Sequence, residues 1–369
     1  MNHTSQQNWI VSAPVLTHGP NSSRVTAQVA GAPLWFESPD TVLRASAEAF
    51  ATIMFVPAVM ANARVQLDSP LDAAWLVNTR TVPALLNDWW GYPDEYPLRE
   101  VTAAEASTPE SARCAQFFSG GVDSMYAFLQ AGDEIDTLIF VHGFDIEIDD
   151  HHRAAEFEQS LRALAAQSGK QAIIVRTNAR HHPLFRTVSW EKTHGAALAA
   201  VGHVLSSTVG SVRIASSWTY SNSHPWGSHW ELDPRWSGSR LQVEHADATL
   251  SKQEKIAIIA NEPLAQQYLR VCWENLSEAG NCCHCVKCLR TMLSLRAHGV
   301  LDKFVTFDQN VDLAKRLDAV SFISANLHER ARAQLSELQD YPELQAALQR
   351  LIERQPRRWW SPRRWSPRR

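Results

Sequence analysis

The fold is decided by the stretch Phe117-Phe118-Ser119-Gly120-Gly121-Val122-Asp123-Ser124. Before it, Cys114-Ala115-Gln116 leads into two phenylalanines, as at the end of a buried strand. After it, Met125-Tyr126-Ala127-Phe128-Leu129 begins an amphipathic helix. Two consecutive glycines allow backbone N–H groups to point into one concavity. The sequence therefore predicts a strand, a glycine turn and a helix N-terminus.

The same stretch has the properties of an anion-binding loop. A helix that starts at Ser124 contributes the positive end of its dipole. The hydroxyls of Ser119 and Ser124 are donors, and the Asp123 carboxylate suits Mg²⁺ binding or helix capping. We interpret the loop as a pyrophosphate site; the alternative is an ordinary strand–helix turn with a capping aspartate. It is not a Walker loop, since the G-K-[ST] ending is absent.

Strand and helix patterns alternate from Gln116 onward. The continuous apolar run Thr137–His142 is typical of a central parallel strand. Further strands are predicted at Gln171–Arg176, Ser211–Ser216 and Leu241–His245, with helices at His151–Ser168 and Gly195–Thr208. This alternation predicts an α/β fold with a doubly wound, mostly parallel sheet.

Ligands of such sheets bind at the carboxyl ends of the strands. We therefore expect Ser119–Ser124, Val141–Asp145 and Ser216–Tyr220 to line one crevice. The cofactor contacts expected there include Val141 and His142. The aromatic loop Trp218–Trp230 is suited to stacking on a flat heterocycle, with an ordered surface loop as the alternative.

Five of the six cysteines lie within Cys272–Cys288. Cys272, Cys282, Cys285 and Cys288 have the spacing C-x9-C-x2-C-x2-C, which indicates a structural zinc site with four thiolates. Four alternatives stay open: Cys283 in place of Cys282, a ligand role for His284, an iron–sulfur cluster, and a cluster without metal. Such crowding favours a reducing compartment over a disulfide framework.

The S-G-G-x-D-S loop followed by this cysteine cluster resembles the PP-loop ATP pyrophosphatases, in particular 7-cyano-7-deazaguanine synthase, over about Gln116–Arg296. The resemblance implies an adenine nucleotide alpha-hydrolase-like fold, with ATP cleaved between its α and β phosphates. It also implies that a carboxylate is adenylated and that ammonia then displaces AMP to give an amide. A second adenylation converts the amide to a nitrile. The implied ATP and Mg²⁺ contacts are Ser119, Gly120, Gly121, Val122, Asp123 and Ser124, with Asp123 and Ser124 catalytic. The implied zinc ligands are Cys272, Cys282, Cys285 and Cys288.

The substrate region departs from that family. The run His142–Glu147 replaces the family's aspartate-tyrosine-glycine-glutamine-arginine-histidine, and Trp218–Trp230 replaces its tyrosine-proline-aspartate-cysteine-arginine segment. We therefore expect a diverged enzyme that joins a small-molecule or peptide acid to ammonia or an amine. Two alternatives are tRNA thiolation, with Cys282 or Cys283 carrying sulfur, and a non-catalytic nucleotide-sensing module.

The flanking regions divide the chain further. Residues 1–110 are expected to form an N-terminal α+β extension and linker, with helices at Asp40–Phe55 and Leu71–Trp90. Residues 111–300 form the nucleotide domain, and 301–355 form helices that pack on it or mediate a homodimer. The basic tail 356–369 is suited to RNA or protein contact, with disorder as the alternative.

Bulk composition narrows the functional class. A formal net charge of −4 over 369 residues gives no global reason for nucleic-acid binding. The N-terminus lacks the features of a signal peptide, and the apolar run Ala47–Ala61 is too short to span a bilayer. The expected location is the cytoplasm, without membrane contact.

Overall fold

The computed structural model describes residues 7–105, 107–186, 188–275, 280–321, 323 and 325–354, so the basic tail lies outside the described residues. The strands are β1 (Asn8–Val11), β2 (Val15–His18), β3 (Ser23–Val29), β4 (Ala32–Ser38), β5 (Arg64–Leu67), β6 (Leu71–Asp72), β7 (Ala103–Ala104), β8 (Cys114–Phe117), β9 (Thr137–His142), β10 (Gln171–Thr177), β11 (Ser211–Ala215) and β12 (Gln242–Ala246). The α-helices are α1 (Ala47–Met60), α2 (Ala73–Thr79), α3 (Val82–Trp90), α4 (Val122–Ala131), α5 (His151–Gln167), α6 (His194–Val204), α7 (Lys252–Ile259), α8 (Pro263–Tyr268), α9 (Val286–Ala297), α10 (Leu313–Ala319), α11 (Ala325–Glu337) and α12 (Pro342–Glu353).

Within the described chain, ten strands form one sheet in the order β12-β11-β8-β9-β10-β4-β3-β1-β5, and β2 pairs with β3. The five strands from β12 to β10 are mutually parallel. The register places Phe117 of β8 opposite Ile139 of β9. The predicted α/β class and mostly parallel sheet are thus confirmed.

Both faces of the sheet are covered. In β9 all six residues are buried. Ile139 and Val141 pack into a core shared with α1 and α6, whereas Leu138 and Phe140 pack into a core shared with α4, α5 and α9. A strand buried on both faces carries apolar side chains on both, which explains the unbroken apolar run from Leu138 to Val141.

The order in which strands are added to the sheet reverses beside β8. From β8 the chain adds β9 and β10 on one side, then crosses back to place β11 and β12 on the other. The loops that follow β8 and β11 therefore diverge at the carboxyl ends of two adjacent parallel strands. Such a switch point opens a crevice where ligands bind.

The N-terminal region completes this sheet. Strand β4 pairs antiparallel with β10, with Phe36 opposite Thr177. Ser38 Oγ donates to the carbonyl of Ile174 at 2.8 Å, and the N–H of Ile174 donates to Asp40 Oδ2 at 2.8 Å. Strands β3 and β4 are therefore continuous with the parallel strands through backbone pairing.

Two predicted helices differ from those observed. The helix predicted from Asp40 begins at Ala47, capped by Ser46, because Ser23 Oγ bonds the carbonyl of Thr41 and the N–H of Leu43 and holds that segment extended. The pattern Leu71–Trp90 contains β6, α2 and α3 instead of one helix. The break before α3 coincides with a proline in its first turn, where the missing N–H costs nothing.

Helix α11 packs on α9. On α11, Gln334 Nε2 donates to the carbonyl of Arg290 at 2.8 Å, and Ser294 Oγ of α9 donates to Glu337 at 2.9 Å. No helix in the described part of the chain has the length and apolar character needed to cross a membrane.

Candidate functional site

The loop between β8 and α4 is shaped by Gly120. Its φ of +77° lies in the left-handed region that favours glycine. A Cβ at this position would lie 3.1 Å from Phe157 Cε2 and 3.2 Å from Arg270 Cβ. The carbonyl of Gly120 accepts from the N–H of Arg270 at 2.8 Å, which ties the loop to the segment that leads to the cysteines.

The helix N-terminus beside this loop is open. Gly121 occupies the N-cap of α4 and has no side chain with which to cap the helix. Ser124 Oγ donates to the Gly121 carbonyl at 3.1 Å and lies 3.3 Å from Ser119 Oγ. Buried Gln116 donates to the carbonyl of Ser124 at 2.9 Å. The free N–H groups of the first turn are thus presented to the crevice as anion donors.

Asp123 lies between two lysines of α7. Lys252 Nζ is 2.5 Å from Asp123 Oδ2, and Lys255 Nζ is 3.6 Å from Oδ1. Lys255 is only 1% exposed and also donates to the carbonyl of Ser216 at 2.7 Å. Burial raises the pKa of Asp123, but the charges of Lys252 and Lys255 outweigh burial and lower that pKa below its usual value. The carboxylate is therefore ionised and held by cations.

Lys252 has the opposite shift. Burial lowers its pKa to about 8, although the adjacent Asp123 charge favours the protonated form. Lys287, which stands between Cys285 and Cys288, lowers the pKa of Lys252 further by charge repulsion. Lys252 is thus a cation at neutral pH that is ready to lose its proton slightly above it.

Three cations lie at this end of the crevice. Lys252, Arg270 and Lys287 line the cavity together with the Ser119–Asp123 loop. The Arg270 guanidinium stacks 5.4 Å from the Phe157 ring and donates to Asn275 Oδ1 at 2.5 Å. A concentration of positive charge beside open N–H groups is complementary to a polyphosphate.

The other end of the crevice is aromatic. The cavity has a volume of about 230 Å³, and beyond the loop it is lined by Val141, Phe144, Trp190, His194, Trp226 and Ser228. Phe144 and Trp190 pack at 4.9 Å between ring centroids, and His194 and Trp226 pack at 5.9 Å. One cavity therefore joins an anion-binding end to an end with flat walls.

The structure gathers most of the predicted site residues. Ser119, Gly121, Val122, Asp123, Ser124 and Val141 line the cavity, and Gly120 shapes the loop from behind. The His142 side chain turns away, because its Nε2 bonds the carbonyl of Glu147 at 3.0 Å. Of the loop expected after β11, Ser217 reaches the crevice, with its Oγ 3.4 Å from Asp123 Oδ2.

The sequence offers Lys252 as a possible phosphate partner, with a solvated surface lysine as the favoured alternative, and the structure buries Lys252 against Asp123. Two other lining residues could not be found from the sequence. Arg270 and Lys287 carry no motif of their own. The sequence indicates them only by their closeness to Cys272 and Cys288. A cysteine cluster that holds a metal would also fix the position of neighbouring side chains.

The cysteine cluster is a candidate metal centre. The Sγ atoms of Cys272, Cys282, Cys285 and Cys288 all lie within 4.8 Å of one another, and all four residues are buried. Cys282 Sγ and Cys288 Sγ are 3.9 Å apart, close to the edge of about 3.8 Å expected for a tetrahedron of thiolates around zinc. The four residues thus fit a tetrahedral ion.

The two other candidate ligands, Cys283 and His284, contact main-chain groups instead. Cys283 has a left-handed backbone with φ of +56°, and its Sγ contacts the carbonyl of Asn281 and the N–H of Asp308. Burial raises the pKa of the Cys283 thiol. His284 bonds the carbonyl of Cys282 through Nδ1. The structure therefore favours Cys282 over Cys283 and His284 as the ligand.

Comparison with known proteins gave no assignment. No protein-family model matches the chain, and a search of curated proteins found no significant match.

Proposed function

We propose that the crevice binds ATP and that the protein cleaves it to AMP and pyrophosphate while activating a carboxylate. A small-molecule or peptide acid is adenylated, and ammonia or an amine then displaces AMP. The observation that carries this proposal is the open N-terminus of α4, which follows Ser119–Gly121 and faces Lys252, Arg270 and Lys287 across one cavity.

The charges suit a triphosphate. Three cations line the cavity near two carboxylates, those of Asp123 and Asp145. Mg²⁺ is usually held by one or two carboxylates together with substrate phosphates. These residues fit that ion: Asp123 would hold it, with the Ser119 and Ser124 hydroxyls nearby. Magnesium, when bound, would neutralise charge on the phosphates.

The chain's own groups account for the remaining chemistry. N–H groups of the loop and the cations hold the β and γ phosphates, so that negative charge on departing pyrophosphate is stabilised. Attack by a carboxylate on the α phosphorus needs alignment more than it needs a protein nucleophile. No conventional nucleophile is therefore required of this site.

The order β10-β9-β8-β11-β12 supports an adenine nucleotide alpha-hydrolase-like fold. The four-thiolate geometry supports a zinc knuckle that clamps the segment Arg270–Lys287. Zinc would act there as a structural ion, since four protein ligands leave no open position.

The thiolation alternative needs a cysteine at the reacting atoms. Among the described residues that line the crevice there is no cysteine. Cys283 is 1% exposed and bonded to its own surroundings. Adenylation without sulfur transfer is therefore better supported. A nucleotide-sensing role differs only in turnover, which the next experiment measures.

The test uses α-labelled ATP with the full chain, Mg²⁺, ammonium and a cell extract as the source of acids. We expect labelled AMP and pyrophosphate. Asp123→Asn should abolish their release, whereas Asp133→Asn, at a fully exposed aspartate, should not. Exclusive formation of ADP and phosphate would contradict the proposal, and binding without turnover would favour the sensing role.

A further inference from the structure

Two polar side chains lie together at the aromatic end of the crevice, His194 and Ser228. The N–H of Gly195 donates to the carbonyl of Gly227 at 3.1 Å. A Cβ on Gly195 would lie 2.9 Å from Ser228 Cα, so the two segments are in close backbone contact. Their relative position is thus fixed by main chain.

Ser228 presents only an acceptor. Its single hydrogen is used, because Oγ donates to Asp233 Oδ2 at 2.6 Å. Asp233 is 0% exposed and also accepts from His245 Nδ1 at 2.8 Å. A hydroxyl whose hydrogen is committed to a buried carboxylate can offer a ligand only its lone pairs.

His194 also offers a ligand only an acceptor. Its Nδ1 lies 3.2 Å from the carbonyl of Trp190, and a carbonyl only accepts, so Nδ1 carries the hydrogen. Burial lowers the pKa of His194, so the ring is neutral at pH 7. Its Nε2 forms no hydrogen bond with the described residues and is therefore an acceptor available to a ligand.

We propose that His194 and Ser228 recognise N–H groups on the edge of a flat nitrogen heterocycle, and that they select an amino-substituted ring over its oxo analogue. Phe144, Trp190 and Trp226 supply the flat walls that such a ring requires. In the oxo analogue the ring N–H can pair with only one of the two acceptors, Ser228 Oγ or His194 Nε2. The oxo group then places its lone pairs against the other acceptor and leaves that buried atom unpaired.

This inference rests on the proposed function for the occupancy of the crevice. The ring has two sources, the base of the nucleotide or the acid substrate. The shared chemistry is the amino group, and two experimental arms separate the sources.

The first arm compares ATP with inosine triphosphate, which carries oxygen in place of the amino group. The second compares adenine with hypoxanthine, with and without a non-hydrolysable ATP analogue. Quenching of tryptophan fluorescence reports binding in both arms. We expect the amino member to bind at least about tenfold more tightly in one arm. Preference in the first arm assigns the ring to the nucleotide, and preference in the second arm that persists with the ATP analogue bound assigns it to a separate molecule.

Variants tie the preference to the two residues. Ser228→Ala and His194→Phe should each reduce it toward unity, whereas Ser221→Ala, at an exposed serine of the same loop, should leave it unchanged. The inference is overturned if neither arm shows a preference, or if both variants retain it in full. Equal binding of the two nucleotides with no preference in the second arm defeats only this inference. Absence of any nucleotide binding defeats the proposed function instead.

Discussion

The ion pair between Asp123 and Lys252 determines how the charge of the site changes with pH. Lys252 is protonated below about pH 8 and then carries the charge that a phosphate needs. Asp123 stays ionised throughout the neutral range, since its pKa is lowered. Above pH 8 the site therefore loses a positive charge while keeping its negative one.

We predict that nucleotide affinity falls as the pH rises through 8. One proton on Lys252 is linked to binding, so affinity should drop by roughly 25-fold between pH 7.5 and pH 9.5 if only the protonated form binds. Calorimetry at constant ionic strength measures the effect. Lys252→Arg keeps its charge over this range and should remove most of the decline. An affinity that stays constant in the unaltered protein would contradict a role for Lys252.

Gly120 meets two constraints at once, a left-handed backbone and close packing against Phe157 and Arg270. Gly91 has only the left-handed backbone, with φ of +67°, and no atom lies within 4 Å of where its Cβ would be. We expect Gly91→Ala to lower the free energy of unfolding by about 1 kcal/mol. Gly120→Ala should lower it by about 1–3 kcal/mol more, because the added methyl group is overpacked.

Urea denaturation of the two variants measures this difference, and nucleotide affinity should fall only for Gly120→Ala. Equal losses of stability in the two variants would show that Phe157 and Arg270 move aside to accept the added methyl group.

At the scale of elements, α9 connects the cysteine cluster to the crevice. Cys285 caps this helix, Cys288 lies in its first turn, and Lys287 between them lines the cavity. On the opposite side of the cluster, Asn281 Oδ1 accepts from the N–H groups of Val271 and Cys272. The cluster thereby holds both Arg270 and Lys287 in place.

We predict that metal analysis will find one zinc ion per chain. Cys282→Ser should lose that ion and strongly lower the melting temperature, since a structural zinc site contributes on the order of 10 kcal/mol. Cys283→Ser is the matched control and should retain the ion. Chelation should also weaken nucleotide binding, because two cations of the crevice lose their support. Retention of zinc by Cys282→Ser would reassign the ligands.

The elements that sequence predicts well are those with local patterns. Strands β8 to β12 lie within about two residues of prediction: β9 and β10 contain apolar runs, and β11 alternates buried with partly exposed residues. The capping box of Ser251 and Glu254 is present at the start of α7. By contrast, the burial of Lys252 and Lys255 depends on how α7 packs against α4, which no local pattern encodes.

At the scale of the whole molecule, strands β1 to β5 complete the sheet. Asn178 donates to the carbonyl of Pro33 at 2.9 Å and accepts from the N–H of Trp35 at 3.0 Å, at the junction of β4 and β10. The sequence revealed strands in this region but not their partner, because the pairing joins residues 143 positions apart. Register over such a distance is set by tertiary packing.

Asn178→Ala should destabilise this junction. The change removes both hydrogen bonds and leaves two main-chain groups without their partner, so we expect a loss of about 1–2 kcal/mol in the free energy of unfolding. Urea denaturation followed by tryptophan fluorescence provides the measurement. Asn310→Ala, at an exposed position, should change stability little. A negligible effect of Asn178→Ala would mean that the two halves are coupled elsewhere.

The pairing of β4 with β10 also has a consequence during synthesis. At about 5–20 residues per second, a ribosome needs roughly 7–30 s to translate the residues between Trp35 and Asn178. Throughout that interval β4 lacks the strand with which it pairs, and a strand edge without its neighbour promotes aggregation. We therefore expect the yield of native protein from living cells to depend on chaperones that bind the emerging chain.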